Sequence, residues 1–298
     1  MRLLHHVLAA TYPALNLLRK VEQFTGFNGS KQLRVLLYHD IAPEEHKDFE
    51  RQLGWLSRRW TFISPEHFAA VINGEKTIQN NSLLLTFDDG FASNLTVTQK
   101  ILNPMGIQAV FFVISDLVAI EDHEEALQFI VSHVMPNTTK YNLPTYLDNM
   151  KWSDLEVLLE QGHTIGAHTR THARLSEISS SSGLADEIVT SAESLENHLG
   201  IHIEHFAYTF GDLSSFSSQA LQVAQKRFRY VYSGLRGNNS VGTSSFAIRR
   251  DSLKPSNSHA LVGAFLEGGA DFLYKPSLNQ LEDWAGRVSI DINSSSQQ

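Results

Sequence analysis

A chain of 298 residues, 42% hydrophobic and 19% charged, has room for one large α/β barrel or two ordinary domains, and a disordered chain is not the default at this composition. The formal net charge of −8, from 24 Lys and Arg against 32 Asp and Glu, and the lack of a clustered basic face argue against a nucleic-acid partner. With no cysteine there is neither a disulfide framework nor a thiolate metal site, so any metal must be held by carboxylates and by some of the 14 histidines.

The first twenty residues, MRLLHHVLAATYPALNLLRK, combine a basic start with an apolar stretch, but His5, His6, Pro13 and Asn16 interrupt it and no small-residue cleavage site precedes Arg19. Residues 1–30 are therefore expected to form an N-terminal helical extension that packs on the body or lies on a membrane surface. No run reaches the ~18 uninterrupted apolar residues of a spanning helix, so no integral segment is expected. The corresponding location is cytoplasmic or peripheral at an inner membrane, with secretion left open.

Seven β-type runs follow: LRVLLYH (33–39), LLLTF (83–87), QAVFFVI (108–114), HTIGAH (163–168), HIEHFAY (202–208), RYVYSG (229–234) and FAIRR (246–250). Helical signals separate them. Ser64 and Pro65 open a segment that closes near Gly74, Ser153 with Glu156 reads as a capping box for a helix ending at Gly162, and 184–200 carries an apolar stripe of Leu184, Ile188, Leu195 and Leu199 with Gly200 as its stop. Strands alternating with helices predict a parallel sheet, and seven strands predict a closed or nearly closed α/β barrel over 31–285. An open doubly wound sheet is the alternative, but no glycine-rich phosphate loop follows the first strand. Residues 116–150 read as an acidic and polar insertion, a helix plus a loop over the barrel mouth, and 286–298 as a polar tail.

In such barrels the chemistry collects at the C-terminal strand ends, which here carry His39, the pair Asp88 and Asp89, His168, Tyr208 and Arg250. Two neighbouring carboxylates repel unless a cation or a division of labour offsets the cost. His168 and His172, four apart in GAHTRTHARLS, have the spacing and residue type to share one divalent ion with a carboxylate oxygen. Water activated by that ion needs a base, and Thr169 stands where zinc proteases of the helix-motif type carry their Glu. The reading is that Asp89 ligates while Asp88 takes the proton.

These residues resemble the polysaccharide deacetylases of the NodB-homology type, carbohydrate esterase family 4, in the bacterial exopolysaccharide-type branch. TFDDG stands at 86–90, His-Thr-Arg-Thr-His at 168–172, and GIQAVFFV (106–113) and GHTIGAHTRTH (162–172) follow the family's phrasing. The resemblance covers roughly 33–255. It implies a distorted (β/α)7 barrel, hydrolysis of N-acetyl groups from amino sugars, and one divalent ion, Zn²⁺ first and Co²⁺, Ni²⁺ or Fe²⁺ as alternatives. Asp88 matches the family's catalytic base; Asp89, His168 and His172 match its metal ligands. The backbone N–H of Phe210 in FAYTFG is expected at the oxyanion. Tyr208 and Phe210 are expected to meet substrate.

Two features depart from the family's pattern. The usual Arg of the third motif is missing, and Arg250 is the expected replacement partner for Asp88, with Arg249, or a surface role for either, as the alternative. The late L-x-L-x-H strand is also missing, whereas VLLYH (35–39) matches it at the other end of the chain. First and last strands of a closed barrel are neighbours, so His39 is the expected general acid. The implied substrate is an N-acetylated glycan of the cell envelope or a lipid-linked sugar precursor. The rival readings are a catalytically inactive carbohydrate-binding barrel and a deformylase or deacetylase of a lipid-linked sugar.

Overall fold

The computed structural model describes residues 2–25, 31–239 and 242–295. Eight strands are formed among them: β1 (Leu33–Tyr38), β2 (Thr61–Phe62), β3 (Ser82–Phe87), β4 (Ala109–Val113), β5 (Thr164–Ala167), β6 (His205–Ala207), β7 (Tyr230–Tyr232) and β8 (Asp251–Ser252). They pair in parallel in the order β7-β6-β5-β4-β3-β1-β8, with β2 beside the start of β3. Every residue of β1, β3 and β4 is buried, which is why these runs are nearly all apolar rather than alternating. Helices surround the curled sheet, giving the distorted (β/α)7 barrel that seven runs predicted.

Alternation still sorts the two faces. Leu83, Leu85 and Phe87 join the large core beneath the outer helices, while Leu84 joins Val35, Val110, Phe112, Tyr232 and Ile248 in the smaller cluster of the barrel interior. Phe68 and Val71 of helix Pro65–Ile72 belong to that interior cluster and close its lower end. By the same parity Thr86 and Asp88 point inward.

Closure differs from the expectation of a strand over 246–250. Ile248 makes a single bridge to Tyr232 of β7, and the ladder to β1 forms only at Asp251 and Ser252, opposite Leu36 and Leu37. The segment crosses from one edge of the sheet to the other, so it can pair with each for only a residue or two. A buried ion network holds this seam: Arg34 donates to Asp251 (2.7 and 2.8 Å) and Asp271 (2.6 and 3.0 Å), and Arg236 also reaches Asp251 (3.1 Å).

The helix after the insertion starts two residues earlier than its expected Ser153–Glu156 box. It spans Trp152–Glu160, and the Asp154 carboxylate accepts from Lys151 N–H (2.9 Å), so the box is built two residues back. Ser64 and Ser180 cap helices Pro65–Ile72 and Ser181–Leu199, and Gly200 ends the latter with φ 66°. The insertion holds helix His123–Phe129 and a wide turn at Ile130–Val134. Its Ala126, Ile130 and Leu147 pack on Phe91 and Ile114, which follow β3 and β4. The excursion is thus anchored at the C-terminal mouth. Helix Arg2–Thr25 packs on helix His259–Leu266. Helix Lys275–Ser295 runs into the stretch read as a polar tail, whose residues 296–298 lie outside the described residues, as do 26–30 of the N-terminal extension.

Two buried histidines make stability pH-dependent. His163 accepts from Ala109 N–H at Nδ1 (3.1 Å) and lies 2.9 Å from Asn103 Oδ1 at Nε2, which fixes the neutral form. Burial lowers its pKa from 6.5 to about 4, and burial does the same to His205 beside the Tyr232 hydroxyl (2.9 Å). Both charge more readily in the unfolded chain, so their contribution is complete above about pH 6.5 and is lost as the pH falls towards 4. At about pH 5 the expected loss is on the order of 2 kcal/mol per histidine. Urea unfolding at about pH 7.5 and about pH 5 measures it, and His163→Gln should flatten the difference.

Candidate active site

The mouth residues are local consequences of three strand ends. Asp88 and Asp89 end the apolar run of β3, His168 follows β5, and His172 sits on the loop beyond it. Four non-glycine residues among those described have positive φ: Asp89 (76°), Thr169 (63°), His172 (65°) and Phe210 (62°). Each such position costs of order 1–2 kcal/mol for an ordinary side chain, and all four fall in this one place. The left-handed turn at Asp89 is what re-aims its carboxylate: strand parity alone would point it opposite to Asp88.

The ligand atoms of Asp89, His168 and His172 all lie within 4.8 Å of one another, and all three residues are buried. Asp89 Oδ1 is 3.4 Å from Nε2 of each histidine. The other ring nitrogens are engaged: His168 Nδ1 lies 2.9 Å from the Ala207 carbonyl and His172 Nδ1 3.0 Å from the His133 carbonyl. Carbonyls only accept, so Nδ1 carries the proton and Nε2 offers its lone pair to the centre, the arrangement typical of metal-ligating histidines. Burial pushes the Asp89 carboxyl up, but when the two rings are doubly protonated their Nε2–H groups donate to it, which overcomes burial and holds it well below the usual range. Burial likewise opposes the charge on His172, and Asp89 overcomes it, so that pKa is raised. A carboxylate drawing two imidazoles together at this spacing suits one divalent ion with two nitrogen donors and one oxygen donor.

Asp88 has a different environment. Arg250, fully buried, donates to both its oxygens (2.6 and 2.9 Å) while its Nε donates to the Ser233 carbonyl (2.9 Å). This bidentate fork fixes the carboxylate plane. Asp88 Oδ2 remains 3.8 Å from His168 Nε2, beside the ligand set.

A cleft of about 370 Å³ opens here, lined by His39, Asp40, Asp88, Asp89, His168, His172, Phe210 and Arg250, with Val134 and Met135 of the insertion as one wall. His39 is exposed at its edge, and its carbonyl accepts from Asn94 Nδ2 (2.9 Å). Phe210 is 43% exposed and packs on His172 (4.7 Å between rings) and under the Arg174 guanidinium (4.5 Å). Its backbone N–H donates to no group among the described residues. Tyr208, expected to meet substrate, does not reach the cleft: it is buried and stacked on Phe216 (3.8 Å). It follows Ala207 of the interior cluster, and alternation sends its ring outward beneath the helices. A larger cavity of about 600 Å³ lies at the opposite strand ends, around Thr164, His205 and Tyr230, away from the carboxylate pair.

Glu187 was not anticipated. This buried carboxylate on helix Ser181–Leu199 accepts from Arg170 N–H (3.2 Å), Thr171 N–H (2.9 Å) and the Thr171 hydroxyl (2.7 Å), and so holds the loop between the two histidines. An acid on the apolar stripe between Leu184 and Ile188 was the signal. Glu187→Ala is expected to weaken metal affinity about 10- to 100-fold, read by competition with a chelator, while Glu187→Gln retains part of it.

A ligand set with a separate, arginine-held carboxylate, all at the C-terminal mouth of a parallel barrel, is an arrangement for hydrolysis. Residues 75–229, just over half the chain, match the family profile described as polysaccharide deacetylase. YxkH of Bacillus subtilis (strain 168), which is named as a polysaccharide deacetylase, is 21% identical over 245 residues, covering 79% of this chain and 76% of its own. Among solved structures, IcaB from Ammonifex degensii superposes with TM-score 0.62 at 20% identity, covering 80% of this chain and 98% of that one. A de-N-acetylase from Aggregatibacter actinomycetemcomitans gives 0.61 at 16% identity, covering 79% and 100%. These two likenesses show the shared fold. The chain belongs to the polysaccharide deacetylase family and is a carbohydrate N-deacetylase that acts on an N-acetylated glycan.

Proposed function

We propose that the protein is a metal-dependent N-deacetylase of an amino sugar in a cell-envelope polysaccharide or its precursor. The observation that supports this most is the unequal treatment of the two adjacent aspartates: Asp89 meets the two imidazoles, whereas Asp88 is held by Arg250 beside them. An ion kept only for structure has no use for the second carboxylate. A bound divalent ion, Zn²⁺ by its suitability to this donor set, with Co²⁺, Ni²⁺ or Fe²⁺ as alternatives, supplies the Lewis acidity that activates water and polarises the acetyl carbonyl.

The chain's own groups do the rest. Asp88 takes the proton of the attacking water, and the Arg250 fork keeps its oxygens aimed. The Phe210 N–H donates to the developing oxyanion. His39, at the cleft edge, protonates the departing nitrogen and regains a proton from Asp88 through solvent, so that water's oxygen and one hydrogen end on the acetic acid and its other hydrogen on the amine. The exposed Phe210 ring offers an apolar face for a sugar. Acetate release from a panel of N-acetylated glycans by metal-stripped protein, with each ion added back, tests the reading. Restoration by at least one ion is expected. Activity that is indifferent to chelation rejects metal dependence, and silence on every glycan favours a binding-only barrel.

A further inference from the structure

Six large apolar side chains stand out in solvent among the described residues. Phe210 belongs to the cleft and Tyr141 to the insertion. The remaining four, Val7, Leu17, Phe272 and Leu273, come from two segments that meet. Helix Arg2–Thr25 turns Leu8, Tyr12 and Leu15 towards the body: the Tyr12 ring lies so close over Gly263 that a Cβ there would fall 2.2 Å from it, and Leu15 reaches Gly269. Phe272 and Leu273 follow Gly269 by three and four residues.

The outer face of the helix is also apolar. Val7, Ala10, Ala14 and Leu17 recur at spacings of three, four and three, and all are exposed. A helix lying on a globular body ordinarily shows polar residues to water. This one has apolar residues both inward and outward, so its outer stripe lacks a partner among the described residues.

Charge decides what covers it. The chain carries −8 overall, yet residues 1–20 hold Arg2, Arg19 and Lys20 and no acid. Arg59, exposed, stacks on Trp55 (4.4 Å), which touches Tyr12 of the helix (6.1 Å), and Arg58 beside it is exposed too. Exposed Lys275 follows Leu273. Of the acids, Glu267 lies near Tyr12, Asp271 beside Phe272 is paired with Arg34, and Glu22 is the one acid in the sequence of the helix itself. A second copy docked through this stripe would bring like charges together. An anionic lipid surface would accept both the apolar stripe and its basic surround. No helix of the described residues is long and apolar enough to cross a membrane, so the contact is one of lying on the surface.

We propose that the outer face of helix Arg2–Thr25, with Phe272 and Leu273, docks the enzyme on an anionic membrane surface. The test is co-sedimentation of the full chain with vesicles of phosphatidylcholine alone or mixed with phosphatidylglycerol. Partition onto the anionic vesicles is expected to exceed that onto neutral ones about tenfold or more and to weaken with added salt. Val7→Ser with Leu17→Ser, and separately Phe272→Ser, should each lower that partition several-fold to tenfold with an unchanged melting temperature, because these side chains make no core contacts. Equal partition onto both vesicle types, or partition untouched by the substitutions, overturns the proposal. So does a dimer by light scattering that Leu17→Ser dissolves, which would assign the stripe to a second copy.

Discussion

Asp88→Asn is expected to reduce acetate release about 10³-fold while leaving the metal content of the purified protein unchanged. The amide matches the carboxylate in shape and can still accept from Arg250, but it cannot take a proton from water. The three groups that converge within 4.8 Å are Asp89, His168 and His172, and Asp88 is outside that set. Metal analysis alongside the assay separates the roles. Activity within tenfold of the parent would remove Asp88 as the base, and simultaneous loss of metal would end the division of labour between the aspartates.

Arg250→Met carries the second large effect, and it acts on stability as well as rate. Arg250 and Asp88 are both almost wholly buried, and the arginine supplies two of the carboxylate's hydrogen bonds. Removing one partner of such a pair strands the other charge, with an expected loss of about 3–5 kcal/mol. Urea unfolding should show this loss, and acetate release should fall with it if Asp88 is the base, since its carboxylate is no longer aimed. The double variant Asp88→Asn with Arg250→Met should recover much of the stability and none of the activity, since it removes the stranded charge and the base together. A loss below about 1 kcal/mol in the single variant would mean that the pair is solvated, contrary to its burial. Arg250→Lys keeps the charge but not the planar fork, so it should preserve stability better than rate.

Much of this site was legible because its residues are contiguous or sit at the ends of conspicuous runs. The Asp88–Asp89 pair closes an apolar strand, and His168 and His172 share one loop, so their positions at a barrel mouth follow from local pattern. Arg250 was legible only as an arginine near the last strand end. Its partner is 162 residues away, and no local rule selects Asp88 rather than another acid. The same holds for the His133 carbonyl behind His172, a backbone group of the insertion that leaves no trace in residue type. Tyr208 was misplaced because a polar aromatic at a strand end reads alike whether it faces the mouth or turns under the helices.

The closing segment shows the same division. An apolar-basic run at 246–250 indicates extended chain, but two different edges share it, and that is settled only when the sheet curls far enough for β7 and β1 to approach. Sequence by itself determined the alternation of strands and helices from β3 to β7, the absence of thiolate chemistry, and which residue types could ligate an ion, because these rest on periodicity, composition and side-chain chemistry within a few residues. It did not determine the two-residue β2 or β8. Tertiary structure alone decided which arginine grips Asp88, which carbonyls orient the imidazoles and which face of the first helix is left bare. Those depend on contacts between distant segments, where many pairings satisfy the same local pattern and only packing of the whole chain chooses among them.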